Sequence, residues 1–305
     1  MNRLLHLIAA LVLCSTALHA EQPDDDQAEL PDTPEDAPGF TPPAESELPD
    51  GPFGEMVRYG RDLFVNTQQL RGRFVGNGLN CVNCHIDAGR RADSAPLWAA
   101  YTMYPAYRSK NDRVNTMEQR IQGCFRYSMN GAPPPSGSRE LSALLSYHYW
   151  LARGAPVGVA LAGRGYPKLD EPPSPPDISR GRQVFEAQCA LCHGEDGQGR
   201  KAEGAYAFPP LWGKDAYNWG AGMHRVNTAA AFIHANMPLG RPESLSVQQA
   251  WDVAAFINSH ERPQDPRHEG DLKETDAAFH AHQCHYGDEV DGQLLGSHAH
   301  PNPLQ

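Results

Sequence analysis

Beyond its first twenty residues this 305-residue sequence has no apolar run near the roughly 20 residues that a membrane-spanning helix needs, which excludes a multi-pass membrane protein. Alternating apolar and polar stretches of the strand type are scarce, so the folded parts are expected to be helical with long loops. Basic residues are missing altogether from residues 21–50, which carry eleven acidic residues, seven prolines and almost nothing to bury. That composition predicts a disordered spacer. The overall charge of −11 conceals an asymmetry: residues 51–165 hold fourteen basic side chains against seven acidic ones, while residues 266–305 hold two against seven. The cationic surplus suits nucleic acid or any anionic small molecule equally well.

The chain opens on Arg3, an apolar stretch from Leu4 to Leu13 and small residues before Glu21, the pattern of a secretory signal cut after Ala20 or Ala17. Cys14 follows Leu11-Val12-Leu13 and lacks the small preceding residue of a lipoprotein signal, so it is expected to leave with the peptide. The mature protein is then periplasmic and carries no membrane span.

The remainder repeats itself. Tyr59-Gly60-Arg61-Asp62-Leu63-Phe64 precedes Cys81-Val82-Asn83-Cys84-His85, and Arg180-Gly181-Arg182-Gln183-Val184-Phe185 precedes Cys189-Ala190-Leu191-Cys192-His193. Each half closes on a helix-period stripe: Leu141, Leu144, Leu145, His148 and Leu151 in the first, Val247, Ala250, Trp251, Ala254 and Ile257 in the second. The opening helix of the first half shows the same spacing at Phe53, Met56, Val57, Gly60, Leu63 and Phe64. Glu171-Pro172-Pro173-Ser174-Pro175-Pro176 cannot be helical and marks the joint. The expected organisation is a signal over 1–20, a spacer over 21–50, domains over 51–165 and 166–265, and a His-rich polar extension over 266–305.

C-x-x-C-H is the haem c attachment signature: two thiols on adjacent turns add to the haem vinyl groups, and the next histidine ligates the iron. A zinc site needs a second ligand pair that neither copy has, and a thioredoxin-like pair needs a βαβ pattern that is missing. Two copies in an exported, repeated chain predict an all-α protein of two class I cytochrome c-like domains in tandem, each a small helical fold around one covalent haem. Cys81, Cys84, Cys189 and Cys192 are the attachment thiols, with His85 and His193 as proximal ligands.

Each iron then needs a sixth ligand or an open site. In the second half Met237 stands in Asn236-Met237-Pro238-Leu239-Gly240, where the proline ends a helix over Ala229–Ala235 and leaves the sulfur on a loop. Met223 is the reserve, and His224 and His234 are the other downstream candidates. His/Met ligation raises the potential and suits electron transfer. The first half has no Met-Pro loop. It has instead a helix capped by Asn115 with Glu118 and stopped at Gly131, on which Arg120, Cys124 and Ser128 fall four apart on one face. Met117 and Ile121 border that face, so Cys124 is expected to point inward at the haem, held as a thiolate between a cation and an iron. A disulfide with Cys284, the other unassigned cysteine of the mature chain, is the competing reading. His148 on its leucine-rich face reads as a buried, hydrogen-bonded core residue.

These motifs together resemble the dihaem thiosulfate dehydrogenases, a family that includes enzymes running as tetrathionate reductases. The resemblance covers about residues 50–265 and rests on C-V-N-C-H, R-V-N-T-M-E-Q-R-I-Q-G-C-F-R-Y-S-M-N-G, C-A-L-C-H-G, F-P-P-L-W-G, G-A-G-M and A-N-M-P-L-G. It implies that Cys124 is both a haem ligand and the site of substrate sulfur chemistry. It also implies that Met237 ligates the second iron, since Asn236 stands where some relatives place a competing lysine. The implied substrates are the dianions thiosulfate and tetrathionate, with a small periplasmic cytochrome c as electron partner and no nucleic acid. The cationic surplus then has a use: Arg108, Lys110, Arg113, Arg120 and Arg126 surround Cys124, with Arg120 and Ser128 one turn away on either side. Each arginine taken alone reads as a solvated charge.

The extension after about Pro266 carries His280, His282, Cys284, His285, His298 and His300 but no C-x-x-C-H, so no third covalent haem is expected. An exposed polar tail is favoured there over adventitious metal binding. The competing functions are a plain dihaem electron-transfer cytochrome, a dihaem peroxidase, and a haem subunit of a larger sulfur-oxidising complex.

Overall fold

The computed structural model describes residues 33–304. The expected signal peptide, Cys14 and the first part of the acidic spacer lie outside the described residues.

The two halves share one scaffold. In the first, the helix Gly51–Val65 crosses the helix Arg139–Leu151; in the second, Ile178–Gln188 crosses Val247–Asn258. Both crossings are so close that they require glycine. A Cβ on Gly60 would lie 2.0 Å from the carbonyl oxygen of Ala143, and one on Gly181 would lie 2.0 Å from that of Asp252. These are equivalent glycines of the sequence repeat, so the repeat encodes a backbone-to-backbone contact. Leu141, Leu144 and Leu151 are buried in the first core and Ala250, Trp251, Ala254 and Ile257 in the second, as their spacing predicts. Phe53, by contrast, is exposed on its helix and meets Tyr149 edge to face.

Among the described residues, sheet is confined to three two-stranded hairpins. The first matters most: Ala106–Arg108 pairs with Arg113–Asn115 immediately before the helix Met117–Arg126, which carries Cys124. The halves are joined by polar contacts. Arg71 donates to Asp215 at 2.8 Å, Asn77 to the Ala216 carbonyl at 3.0 Å, Asn218 to the Arg126 carbonyl at 2.9 Å and Asn236 to the Asp93 carbonyl at 2.9 Å.

Two segments depart from the expectation. Residues 33–50 dock on the first half although their composition predicts disorder. Phe40 packs 5.5 Å from Trp98, and the carbonyls of Pro42, Pro43 and Pro49 accept bonds from Arg90 and Arg58. An extended proline-rich strand keeps its carbonyls unpaired, and these arginines use them. The extension over 266–305 is likewise packed rather than exposed and polar: Tyr286 and Leu295 form a third core with Trp219, and His280 and Thr275 are buried.

Candidate active site

The helix Met117–Arg126 starts one residue later than the sequence suggests. Thr116 is the N-cap, with reciprocal bonds to Gln119, while Asn115 ends the preceding strand and accepts a bond from Asn111. At its far end the chain turns at Asn130, in the left-handed region (φ 44°), and the Gly131 amide bonds back to the Phe125 carbonyl at 2.9 Å. Ile121 and Phe125 bury the inner face, which fixes the rotation of the helix. Cys124, half-buried in the last turn, then meets its neighbour one turn earlier: Arg120 donates from Nη1 to Cys124 Sγ at 3.0 Å.

A small cleft opens beside this pair. Arg108, Lys110, Asn111, Arg120, Tyr127 and Ser128 contribute to its wall. Arg108 is buried at the end of its strand, and Lys110 lies over the Tyr127 ring at 4.4 Å while donating to the Gly220 carbonyl at 2.6 Å. Ser128 lies just past the helix end, and its carbonyl accepts from Asn77. The structure thus gathers Arg108, Arg120 and Ser128 around one cleft. Arg113 is not among them: it pairs in register with Arg108 across the hairpin but is exposed and outside the cleft. Tyr127 and Asn111 were not singled out from sequence. Tyr127, three residues beyond Cys124 on a helix, had the spacing that would have found it.

The attachment motifs are built alike in both halves. His85 Nδ1 faces the Ala95 carbonyl at 2.7 Å, and His193 Nδ1 faces the Pro209 carbonyl at 2.9 Å. A carbonyl only accepts, so Nδ1 carries the proton and Nε2 keeps its lone pair for a metal. Burial, with the field of Arg120 added and the Ala95 bond opposing, brings His85 down to about 4, so its imidazole is neutral. Burial pushes the Cys81, Cys84 and Cys189 thiols up to about 12, which suits residues destined for thioether bonds in an apolar slot. Cys124 is near enough to Cys81 and Cys84 to act on both.

Haem c also fits the polar groups around these motifs. Arg262 is fully buried, stacked over Tyr217 at 4.4 Å and Trp219 at 5.0 Å, and its Nε and Nη1 have no partner among the described residues. The Asn258 Nδ2 beside it is equally orphaned while its Oδ1 accepts from Tyr217. Buried donors of this kind call for an acid group that the polypeptide does not supply, and haem propionates are such groups.

Cys124 and Cys284 are not bonded to each other, which removes the disulfide reading. His148 is buried with Nδ1 on the Leu144 carbonyl at 2.7 Å, and burial brings it down to about 4, as a core histidine requires. Met237 caps the helix Val226–Asn236 and packs against the second core alone, the cluster that includes Cys189 and Ala190. Met223 touches both cores.

Comparison with known proteins agrees with this architecture. The family description "SoxA/TsdA, cytochrome c domain" matches residues 72–157, and "Cytochrome C oxidase, cbb3-type, subunit III" matches residues 176–257. The chain is 54% identical to a thiosulfate dehydrogenase of Stutzerimonas stutzeri over 97% of its length and 98% of that protein. It is 56% identical to a thiosulfate dehydrogenase of Thiomonas intermedia over 87% of its length and 84% of that protein. Among solved structures, the thiosulfate dehydrogenase TsdBA of Marichromatium purpuratum superimposes with a TM-score of 0.82 at 54% identity, covering 85% of this chain and 57% of that longer one. Two cytochrome c domains carrying covalent haem, a cysteine-bearing helix between the first attachment site and the closing helix, and this degree of identity along nearly the whole chain place the protein in the thiosulfate dehydrogenase family.

Proposed function

We propose that this protein interconverts thiosulfate and tetrathionate at Cys124. The observation that carries the reading is the 3.0 Å contact of Arg120 with Cys124 Sγ at the edge of a cleft that also holds Arg108, Lys110 and Ser128. Arg120 donates to that sulfur, and further cations in the same cleft draw a sulfonate-bearing dianion toward it.

In the oxidative direction the Cys124 thiolate and the outer sulfur of thiosulfate join in a sulfur–sulfur bond, with loss of two electrons, to give an S-sulfanylsulfonate adduct. A second thiosulfate then attacks the sulfur attached to Sγ. That bond breaks, tetrathionate leaves, and the Cys124 thiolate is restored with no further change in oxidation state. Arg120 and Arg108 orient the sulfonate ends, and Ser128 offers a hydroxyl to the same oxygens. The reductive direction runs the same exchanges in reverse.

The two haems, held by Cys81, Cys84, His85 and Cys124 in the first half and by Cys189, Cys192, His193 and Met237 in the second, supply one-electron acceptors of different potential when bound. Packing of Met237 on the second core alone supports its assignment there over Met223. A small periplasmic cytochrome c is the fitting electron partner, and the N-terminal signal directs the chain to the periplasm. Among the described residues no helix is long and apolar enough to cross a membrane.

The test is steady-state turnover by the purified dihaem protein, with thiosulfate and an oxidised dye and separately with tetrathionate and a reduced dye. Turnover in either direction is expected. Dye exchange that needs neither sulfur compound would leave only an electron-transfer cytochrome.

A further inference from the structure

The C-terminal extension and a loop of the second half bring four strong metal-binding side chains to one point outside either haem motif. His224 ends the short turn Gly222–His224; His280, His282 and Cys284 follow the helix Leu272–Phe279 at alternate positions. One donor atom from each lies within 4.8 Å of the other three. His224 Nε2 is 2.8 Å from His282 Nε2, and His280 Nδ1 is 3.3 Å from Cys284 Sγ. His224 and His280 are buried.

The bonds made by the far sides of these rings decide what the near sides can do. His224 Nδ1 rests on the Ala221 carbonyl, so it carries the proton and the neutral ring turns a bare Nε2 lone pair inward. His280 Nε2 rests on the Asp265 carboxylate at 3.1 Å, which leaves the Nδ1 lone pair directed inward. Asp265 is itself clamped by Arg267 at 2.7 Å. A carboxylate–histidine pair and a carbonyl–histidine pair are the outer supports that orient metal-bound imidazoles. Between protein atoms alone these contacts need His282 to donate to His224 and the Cys284 thiol to donate to His280. Around a cation the inward lone pairs are the required arrangement.

We propose that His224, His280, His282 and Cys284 form a closed, four-coordinate zinc site that fastens the C-terminal extension to the loop beside the active-site cleft. A tetrahedral zinc with bonds of about 2.0 Å to nitrogen and 2.3 Å to sulfur separates its ligands by about 3.3 Å (N to N) and about 3.5 Å (N to S). The two close pairs here fall a few tenths of an ångström short of those edges, so small side-chain rotations admit the ion. Three imidazoles and one thiolate suit zinc; a copper electron-transfer centre has two histidines, a cysteine and a weak long axial ligand instead. Binding displaces the thiol proton of Cys284 and changes no oxidation state.

The site joins two segments that matter. The adjacent Val226 amide bonds to the Gln283 carbonyl at 2.9 Å, Trp219 packs on Tyr286 in the third core, and Gly222 lines the substrate cleft. Zinc at this position holds that wall of the cleft through the extension. The proposal is independent of which sulfur compound the protein turns over.

The test uses the dihaem protein stripped with a chelator, incubated with zinc, passed through gel filtration, and assayed for zinc and iron by mass spectrometry. One zinc per two irons is expected, with X-ray absorption at the zinc edge showing three nitrogen scatterers and one sulfur. The double variant His282→Ala/Cys284→Ser should keep both haems and lose the zinc. Absence of retained zinc in the parent protein, retention by the double variant, copper bound where zinc is refused, or a zinc shell without sulfur each overturns the proposal. The parent spectrum decides the matter even if the variant fails to fold.

Discussion

The two halves of this protein begin and end alike and differ in between. Each crosses its first and last helices at a glycine, Gly60 against Ala143 and Gly181 against Asp252, and each holds its proximal histidine by a ring nitrogen on a backbone carbonyl. Between the attachment motif and the closing helix both halves have a hairpin and a helix, but the first half inserts Arg108, Arg120 and Cys124 there, while the second runs from the hairpin Arg200–Ala202/Ala205–Phe208 through the helix Val226–Asn236 to Met237. The shared parts bury a cofactor; the inserted part determines what its sulfur-bearing neighbour can do. In the proposed function the cysteine sulfur beside a guanidinium is the nucleophile, and the methionine thioether serves only as a ligand.

Breaking the difference should have the largest effect. Cys124→Gly should keep both haems and the fold yet lose about 10³-fold or more of turnover in both directions, because glycine forms no sulfur–sulfur bond. Only the first haem's spectrum should change. Met237→Gly should do the opposite: the near-infrared methionine–iron band of the oxidised protein should vanish while substrate binding holds. A band surviving in Met237→Gly and lost in Met223→Gly would transfer the ligand role to Met223.

Breaking the likeness should have equal effects in both halves. Gly60→Ala and Gly181→Ala each force a methyl into a backbone oxygen and should each cost about 3 kcal/mol, read from urea unfolding of the haem-loaded protein. A cost in only one half would show that the two crossings are not equivalent.

Smaller effects grade the cleft. Arg120→Ala should raise KM for either dianion by about 10- to 100-fold, the worth of one charge-assisted hydrogen bond of about 1.5–3 kcal/mol, with the first haem's attachment intact. Arg113→Ala, outside the cleft, should change KM by less than about twofold.

Much of this was readable in the sequence because it is local. C-x-x-C-H is contiguous, and stripes such as Ala250, Trp251, Ala254 and Ile257 fall within one helix. The Arg120–Cys124 contact follows from a spacing of four. What escaped was pairing over distance. Phe40 and three proline carbonyls look like part of a solvated linker until Trp98, Arg58 and Arg90 are brought to them. Tyr286 and Leu295 look isolated in a polar tail until Trp219 supplies the rest of their core. Composition averages over such anchors, and periodicity cannot see a partner that lies in another element. The hairpin shows the same limit in miniature: Arg108 and Arg113 are alike in sequence and stand opposite each other across the strands, yet Arg108 is buried and Arg113 exposed, a difference set by what packs against each from elsewhere in the fold.

The central claim is that the Cys124 sulfur bonds to the substrate sulfur during turnover. The direct measurement is peptide mass spectrometry of the dihaem protein quenched with acid after brief exposure to tetrathionate. The account predicts that the peptide containing Cys124 gains one S2O3 group, that reductant removes it, and that the Cys124→Gly protein gains none anywhere. Rapid turnover with Cys124 unmodified at every quench time, together with near-parental rates in Cys124→Gly, would contradict it.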